Sequence, residues 1–104
     1  MKRAWLISLF AFSLQPAFGL TVEERLANAI RRAEGVWTYG VNVRVRTEAE
    51  ARRVCLNTIR HAWQDWNRQG DFINFLADRY CPFKTDPRGN VHWKKNVHWL
   101  LAHS

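Results

Sequence analysis

The sequence predicts a small, mainly α-helical domain of about four helices with one short β-element, behind a removable N-terminal segment. Three observations lead to this prediction. Apolar residues recur at helical spacing through most of residues 21–101, and capping residues mark several helix ends. Valine alternates with polar residues over 41–46, a strand pattern with one buried face. The N-terminal residues have the features of an export signal.

The export signal is a short charged start followed by an uncharged apolar stretch over 4–14. Ala17 and Gly19 then place small residues at the −3 and −1 positions of a cleavage site. The apolar stretch is much shorter than the ~20 residues that a membrane-spanning helix needs. We therefore expect a signal peptide over 1–19, a single monomeric domain over 20–104 without a transmembrane segment, and a secreted or periplasmic location. An uncleaved N-terminal anchor is the alternative.

The charge balance is strongly basic, with 16 Lys and Arg against 9 Asp and Glu and a net charge of +7. The chain stays positive after the signal peptide is removed. A basic exported protein meets anionic polymers of the cell envelope, although solubility alone also explains such a charge. No glycine-rich phosphate loop is present, and the four histidines do not fall at metal-ligand spacing. We expect no cofactor, no metal and no nucleic-acid partner.

The two cysteines, Cys55 and Cys81, both lie in the predicted mature domain. In an oxidising compartment, an even pair of cysteines in a small domain most simply forms one disulfide. The sequence therefore predicts a Cys55–Cys81 bond, with two free thiols as the alternative.

The first helix has clear signals at both ends. Thr21 and Glu24 have the spacing of a capping box, and Gly35 is suited to end the helix. Glu34 then lies on the last turn, where a negative charge opposes the helix dipole. Because this position is unfavourable for a carboxylate, Glu34 is a candidate for function, and a solvated helix-end glutamate is the alternative.

Three further helices follow the valine-rich segment. Thr47 and Glu50 predict the start of a long helix that continues to about residue 68. Asp71 is a candidate cap for a third helix, which Pro82 should end. We expect residues 84–90 to form a surface loop and residues 91–101 to form the last helix.

The order of these pieces resembles the lysozyme superfamily, including phage-type lysozyme-like proteins and soluble lytic transglycosylases. The resemblance is based on a first core helix that ends in Glu34-Gly35 and on the extended segment 36–46 after it. A phenylalanine-rich helix ending in Arg-Tyr-Cys-Pro over 79–82 and a loop leading to a terminal helix add to it. It implies a lysozyme-like fold, with Glu34 as the general acid that protonates a glycosidic oxygen.

Five further residues are candidates for substrate binding on this resemblance. Trp37 and Tyr39 follow the glutamate directly, and Tyr80, Asn90 and Trp93 could form the opposite wall of a cleft. The alternative is that these aromatic residues belong to the core, a role that we favour for Trp93.

The resemblance implies binding and cleavage of peptidoglycan or of another anionic cell-envelope polymer. A second hypothesis is a non-catalytic exported module that binds glycan or envelope proteins with a lysozyme-like shape. A third is a cationic membrane-active protein, since Lys94 and Lys95 lie beside Trp93 and Trp99 on the last helix.

Overall fold

The structure, a computed structural model, describes residues 19–104 and consists of four α-helices in that range. The helices are α1 (Val22–Glu34), α2 (Glu48–Asp65), α3 (Phe72–Tyr80) and α4 (Pro87–Ala102). The predicted mainly helical class and the number of helices are confirmed. The predicted signal peptide lies outside the described residues except for Gly19.

Side-chain caps fix most of the helix starts. Thr21 and Glu24 form the full reciprocal capping box at α1, with bonds of 3.0 and 2.9 Å. At α2, the Thr47 hydroxyl accepts from Glu50 N, but the Glu50 carboxylate accepts from Arg46 N, one residue before the cap. Each cap pairs backbone N–H groups that have no acceptor within the helix, which stabilises the helix start.

α4 begins earlier than the sequence pattern predicts. Asp86 caps it by accepting from Gly89 N at 3.0 Å, and Pro87 occupies the first turn, where its missing N–H costs nothing. The expected surface loop over 84–90 therefore contains the first turn of α4.

α3 begins after Asp71, whose side chain makes no cap bond and instead lies 2.6 Å from His98 Nε2 of α4.

Each helix packs on two neighbours, so that α1, α2, α3 and α4 close a ring around one core. The core contains many alanines, which let the helix backbones approach closely, and larger apolar side chains fill the space between them. The buried apolar residues of the helices are Leu26, Ala27, Ala29, Ile30, Ala51, Cys55, Ile59, Ala62, Ile73, Leu76, Ala77, Trp93 and Val97.

The predicted β-element is wrong, because the described chain contains no strand. Residues 36–41 form two successive turns, in which Tyr39 N donates to Val36 O and Val41 N to Thr38 O, each at 3.1 Å. A strand needs a partner for its backbone groups, and the remaining described chain offers only helices and turns. Val41 and Val45 pack against the core, but Val43 between them is 54% exposed, so the alternating valines do not form one buried face.

The predicted disulfide is also absent, since Cys55 and Cys81 are both free thiols. Cys55 Sγ faces the hydroxyl of Tyr80, which donates to it at 3.2 Å. Cys81 Sγ lies 3.7 Å from Asp86 Oδ2 at the start of α4. The two sulfur atoms are thus directed at different partners, and the Tyr80 phenol occupies the space beside Cys55.

Within residues 19–104, no helix combines the length and apolar character that crossing a bilayer requires.

Candidate functional site

Glu34 is the last residue of α1, and its position depends on the turn that ends the helix. Gly35 has the left-handed conformation, with φ of 74°, and its N–H donates to Arg31 O at 3.0 Å. This conformation suits glycine and redirects the chain after one residue. The Glu34 side chain is half-buried at the resulting corner, while Gly35, Val36 and Trp37 are exposed.

The Glu34 carboxylate is held by a residue of α4. Trp93 Nε1 donates to Glu34 Oε2 at 2.8 Å, across the contact between α1 and α4. The indole is only 7% exposed, so its N–H has little access to water and needs this acceptor. The bond fixes one oxygen of the carboxylate in place.

The turn after α1 folds back over the same carboxylate. Gly40 has a positive φ of 69°, and a Cβ atom at this position would collide with the carboxyl group of Glu34. Tyr39, just before it, also has a positive φ of 59°. Two left-handed residues in a row bring the backbone against the Glu34 side chain, and only glycine leaves room for the contact.

Tyr80 of α3 packs against the Trp93 indole. Its ring stacks on the indole, with centroids 5.1 Å apart and planes 16° from parallel, and its hydroxyl donates to Cys55 Sγ. Burial raises the pKa of the Cys55 thiol and of the Tyr80 phenol, and the negative charge of Glu34 raises both further. Both groups are therefore protonated at neutral pH.

Glu34, Cys55, Tyr80 and Trp93 together form one contiguous set, which we name the glutamate cluster. α1 contributes the carboxylate, α4 the indole, α3 the phenol and α2 the thiol. Each of the four helices supplies one member. The cluster holds a single carboxylate among groups that stay neutral at physiological pH, so any proton transfer within it would involve Glu34.

The other predicted binding residues lie in different surroundings. Tyr39 is 3% exposed, and its hydroxyl accepts from Arg52 Nη1 at 3.2 Å. The same Arg52 nitrogen donates to Asn28 Oδ1 at 2.8 Å, so Arg52 of α2 is bound both to α1 and to the buried Tyr39 hydroxyl. Trp37 is 43% exposed, and of the predicted aromatic residues it presents the most accessible ring.

Asn90 is fully buried and ties α4 to the end of α3. Its amide nitrogen donates to Cys81 O at 2.7 Å and to Asp78 Oδ1 at 3.3 Å, while its Oδ1 has no partner. The amide therefore satisfies a carbonyl at the C-terminal end of α3. Asn90 positions α4, and with it Trp93, one turn further along the same helix.

The structure thus brings together Glu34, Tyr80 and Trp93 of the predicted site and places Asn90 one turn before Trp93 on α4. The Tyr39 hydroxyl is directed to Arg52 instead. Cys55 is the member that the sequence did not assign to the site. Cys55 lies on the apolar face of α2, where residues recur every three to four positions, and this pattern indicates burial but not the contact with Tyr80.

Two pockets lie elsewhere on the described surface, and neither is lined by the glutamate cluster. Among residues 19–104, no three potential ligands are grouped in a way that would hold a metal ion.

Comparison with protein-family models, with curated proteins and with solved structures gave no match to this chain.

Proposed function

We propose that this protein is an exported peptidoglycan-cleaving protein of lysozyme or lytic transglycosylase type, with Glu34 as its general acid. The observation that supports it is the placement of Glu34. A half-buried carboxylate ends the first core helix, with one oxygen bound to the Trp93 indole and a glycine turn folded against it. The chain order of helix, glutamate, glycine and cleft-side aromatic residue is the one that resembles the lysozyme superfamily.

The proposed chemistry needs only one carboxylic acid. Glu34 donates its proton to the glycosidic oxygen while the bond from that oxygen to the sugar carbon breaks. In the transglycosylase form, the 6-hydroxyl of the same sugar attacks this carbon, and the ionised Glu34 accepts the hydroxyl proton. The acid is restored at the end, and the product carries an internal anhydro bond. In the hydrolytic form, water takes the place of the 6-hydroxyl.

Trp93 and Tyr80 act as positioning residues in this proposal. The indole N–H fixes the direction of the carboxyl group, and the stacked phenol supports the indole from behind. A carboxyl group held in one rotamer loses less conformational freedom when the transition state forms.

Substrate binding falls to the exposed surface next to Glu34. Trp37 lies three residues after the glutamate and offers an apolar ring face of the kind on which sugar rings stack. Arg32, Arg44 and Arg46 are exposed close by in the chain and supply positive charge for an anionic wall polymer.

Export is part of the same proposal, since peptidoglycan lies outside the cytoplasm. When the full chain is expressed with its N-terminal segment, the mature protein should begin at Leu20. Intact-mass measurement of the secreted or periplasmic protein tests this expectation, and a retained residue 1 would contradict it.

The second candidate is a non-catalytic glycan- or envelope-protein-binding module. It is favoured by the partners of Glu34, because the indole bond and the contact with Gly40 give the carboxylate a role in joining α1 to α4. The two pockets away from the glutamate cluster are also consistent with it.

Digestion of purified peptidoglycan, with soluble products identified by mass, separates the two candidates. An enzyme releases muropeptides, and loss of one water from their mass distinguishes anhydro products from hydrolytic ones. A binding module co-sediments with the insoluble wall and releases nothing.

A further inference from the structure

An apolar groove of about 480 Å³ lies apart from the glutamate cluster and receives side chains from all four helices. We call it the apolar groove. Its floor is formed by Leu26, Ile59 and Ile73, which are themselves part of the core. Its volume falls within the range of small-molecule sites, about 300–1,000 Å³.

The walls of the groove leave large apolar side chains open to solvent. Val22 is 76% exposed and Trp63 is 48% exposed, although both line the groove. Trp63 is held in place, because Phe72 lies edge-on against its ring with centroids 5.1 Å apart. The Arg68 guanidinium covers the Trp63 ring at 4.6 Å from its centroid. An ordered apolar wall of this kind needs no rearrangement to receive a ligand.

The lining chemistry restricts what can occupy the groove. Of its ten lining residues, seven carry hydrocarbon or aromatic side chains, and only Glu23, Arg60 and Gln64 are polar. A sugar chain or an extended peptide would lose its hydrogen bonds to water on this floor without finding replacements. An alkyl chain makes no hydrogen bonds to water that it could lose, and its transfer from water into the groove is favourable.

The polar residues divide between two edges of the groove. Arg60 and Gln64 are four residues apart on α2 and therefore lie side by side at one edge, while Glu23 lies on α1. Among the described residues, no carboxylate lies within 4.0 Å of the Arg60 guanidinium. Arg60 Nη1 donates a long bond of 3.4 Å to Asn57 Oδ1, and the other N–H groups of Arg60, with those of Gln64, can donate to an anion. The α2 edge is thus complementary to a negatively charged headgroup.

We propose that the apolar groove binds a single-chain anionic amphiphile, with the alkyl chain on the Leu26, Ile59 and Ile73 floor and a carboxylate or phosphate headgroup at Arg60. This ligand class is distinct from the glycan of the proposed function. The two sites share no residue, so either can fail without the other.

Alkyl phosphates of 8, 10 and 12 carbons, each below its micelle concentration, are the probes. Calorimetric titration of the full-length expression product should give saturable binding of one ligand per protein. The dissociation constant should fall about fourfold for each methylene added, the gain expected when a methylene leaves water for an apolar site. An alkyl maltoside of equal length, which lacks the charge, should bind about tenfold more weakly because it loses the charge-assisted bonds to Arg60.

Single substitutions locate the binding site. Binding of the uncharged maltoside shows that each variant is still folded. Arg60→Gln should weaken alkyl phosphate binding about tenfold and leave alkyl maltoside binding unchanged. Arg53→Gln is the matched control, since Arg53 is exposed on the same helix outside the groove. Val22→Asp places a negative charge at the groove and at the start of α1, where the helix dipole tolerates it, and should also weaken binding.

The proposal is overturned if titration shows no saturable binding, or if affinity does not change with chain length. It is equally overturned if Arg53→Gln and Arg60→Gln weaken binding alike, or if only vesicles of anionic lipid bind and monomeric amphiphiles do not. The last result would assign the basic surface to membrane association.

Discussion

The Trp93 indole donates a hydrogen bond of 2.8 Å to the Glu34 carboxylate from a position 59 residues later in the chain. This bond joins the C-terminal end of α1 to the middle of α4 and orients the only carboxylate in the glutamate cluster. The stability of the helix packing and the orientation of the Glu34 carboxylate therefore depend on the same contact.

Replacing Trp93 with Phe should lower the free energy of unfolding by about 1–3 kcal/mol. The aromatic ring that stacks on Tyr80 is kept in part, but the half-buried carboxylate loses its donor. Urea unfolding measures the change. Trp99→Phe is the control, because Trp99 is exposed on the same helix and stacks on His103, and should change stability by less than about 0.5 kcal/mol. Equal effects of the two substitutions would contradict the role given to the indole bond.

Gly40→Ala tests the contact between the turn and the glutamate. Alanine with a positive φ costs about 1–2 kcal/mol, and its Cβ would in addition collide with the Glu34 carboxyl group. Gly35→Ala isolates the first effect, since Gly35 has φ of 74° but no atom within 4 Å of an added Cβ. We expect Gly40→Ala to be the more destabilising of the two in urea unfolding.

A double-mutant cycle makes the test of the same contact specific. If the collision with the carboxyl group is the cause, shortening Glu34 to Ala should relieve part of the loss caused by Gly40→Ala, with a coupling of about 0.5–3 kcal/mol. Additive effects would mean that the turn and the glutamate do not touch.

Alkaline pH should destabilise the protein through Cys55 and Tyr80. Burial raises the pKa of both groups in the folded state above the ordinary values of 9.0 and 10.0. Each is neutral when protonated, so the folded protein retains its proton where the unfolded chain has lost it. Their contribution to stability is complete below pH 9 and declines as the pH rises further, by up to about 1.4 kcal/mol per pH unit for each group.

Urea unfolding between pH 8 and 10.5 measures this decline. Tyr80→Phe removes one of the two groups and should reduce the slope above pH 10, compared with the unmodified protein. A slope that Tyr80→Phe leaves unchanged would show that other groups cause the alkaline loss.

The helices could be predicted from the sequence because capping residues close in the chain mark their ends. Thr21, Glu24 and Gly35 identify both ends of α1, since caps depend on residues within one turn of each other. The apolar pattern predicts the start of α4 four residues late, although Asp86 and Pro87 form a recognisable helix start. α2 ends at Asp65, three residues before the predicted end, in a turn where Arg68 adopts a φ of 65° and donates to Trp63 O.

The site was harder to predict, because its members meet only through tertiary packing. The contact of Glu34 with Trp93 depends on how α1 and α4 cross, which no local pattern specifies. The sequence also could not show that Tyr39 turns inward to Arg52, since that direction follows from the left-handed conformation of Tyr39 itself. The valine alternation over 41–46 predicts a strand with one buried face, but Val43 is exposed while Val41 and Val45 pack on the core, because this irregular segment does not keep the two-residue period of a strand.

The central claim is that Glu34 supplies the proton for glycan cleavage, and Glu34→Gln tests it most directly. Glutamine keeps the size of the side chain and an oxygen that accepts from Trp93 Nε1, but it has no acidic proton. Glu48→Gln is the matched control, because Glu48 is an exposed carboxylate that pairs with Arg31 at 3.1 Å. The measurement is the rate of muropeptide release from purified peptidoglycan by the three proteins at equal concentration.

We predict that the unmodified protein and Glu48→Gln release muropeptides at similar rates, and that Glu34→Gln is slower by at least about 100-fold, the usual contribution of a general acid. Thermal unfolding should show that all three proteins are folded. Release by Glu34→Gln at the unmodified rate, or no release by any of the three, would contradict the claim.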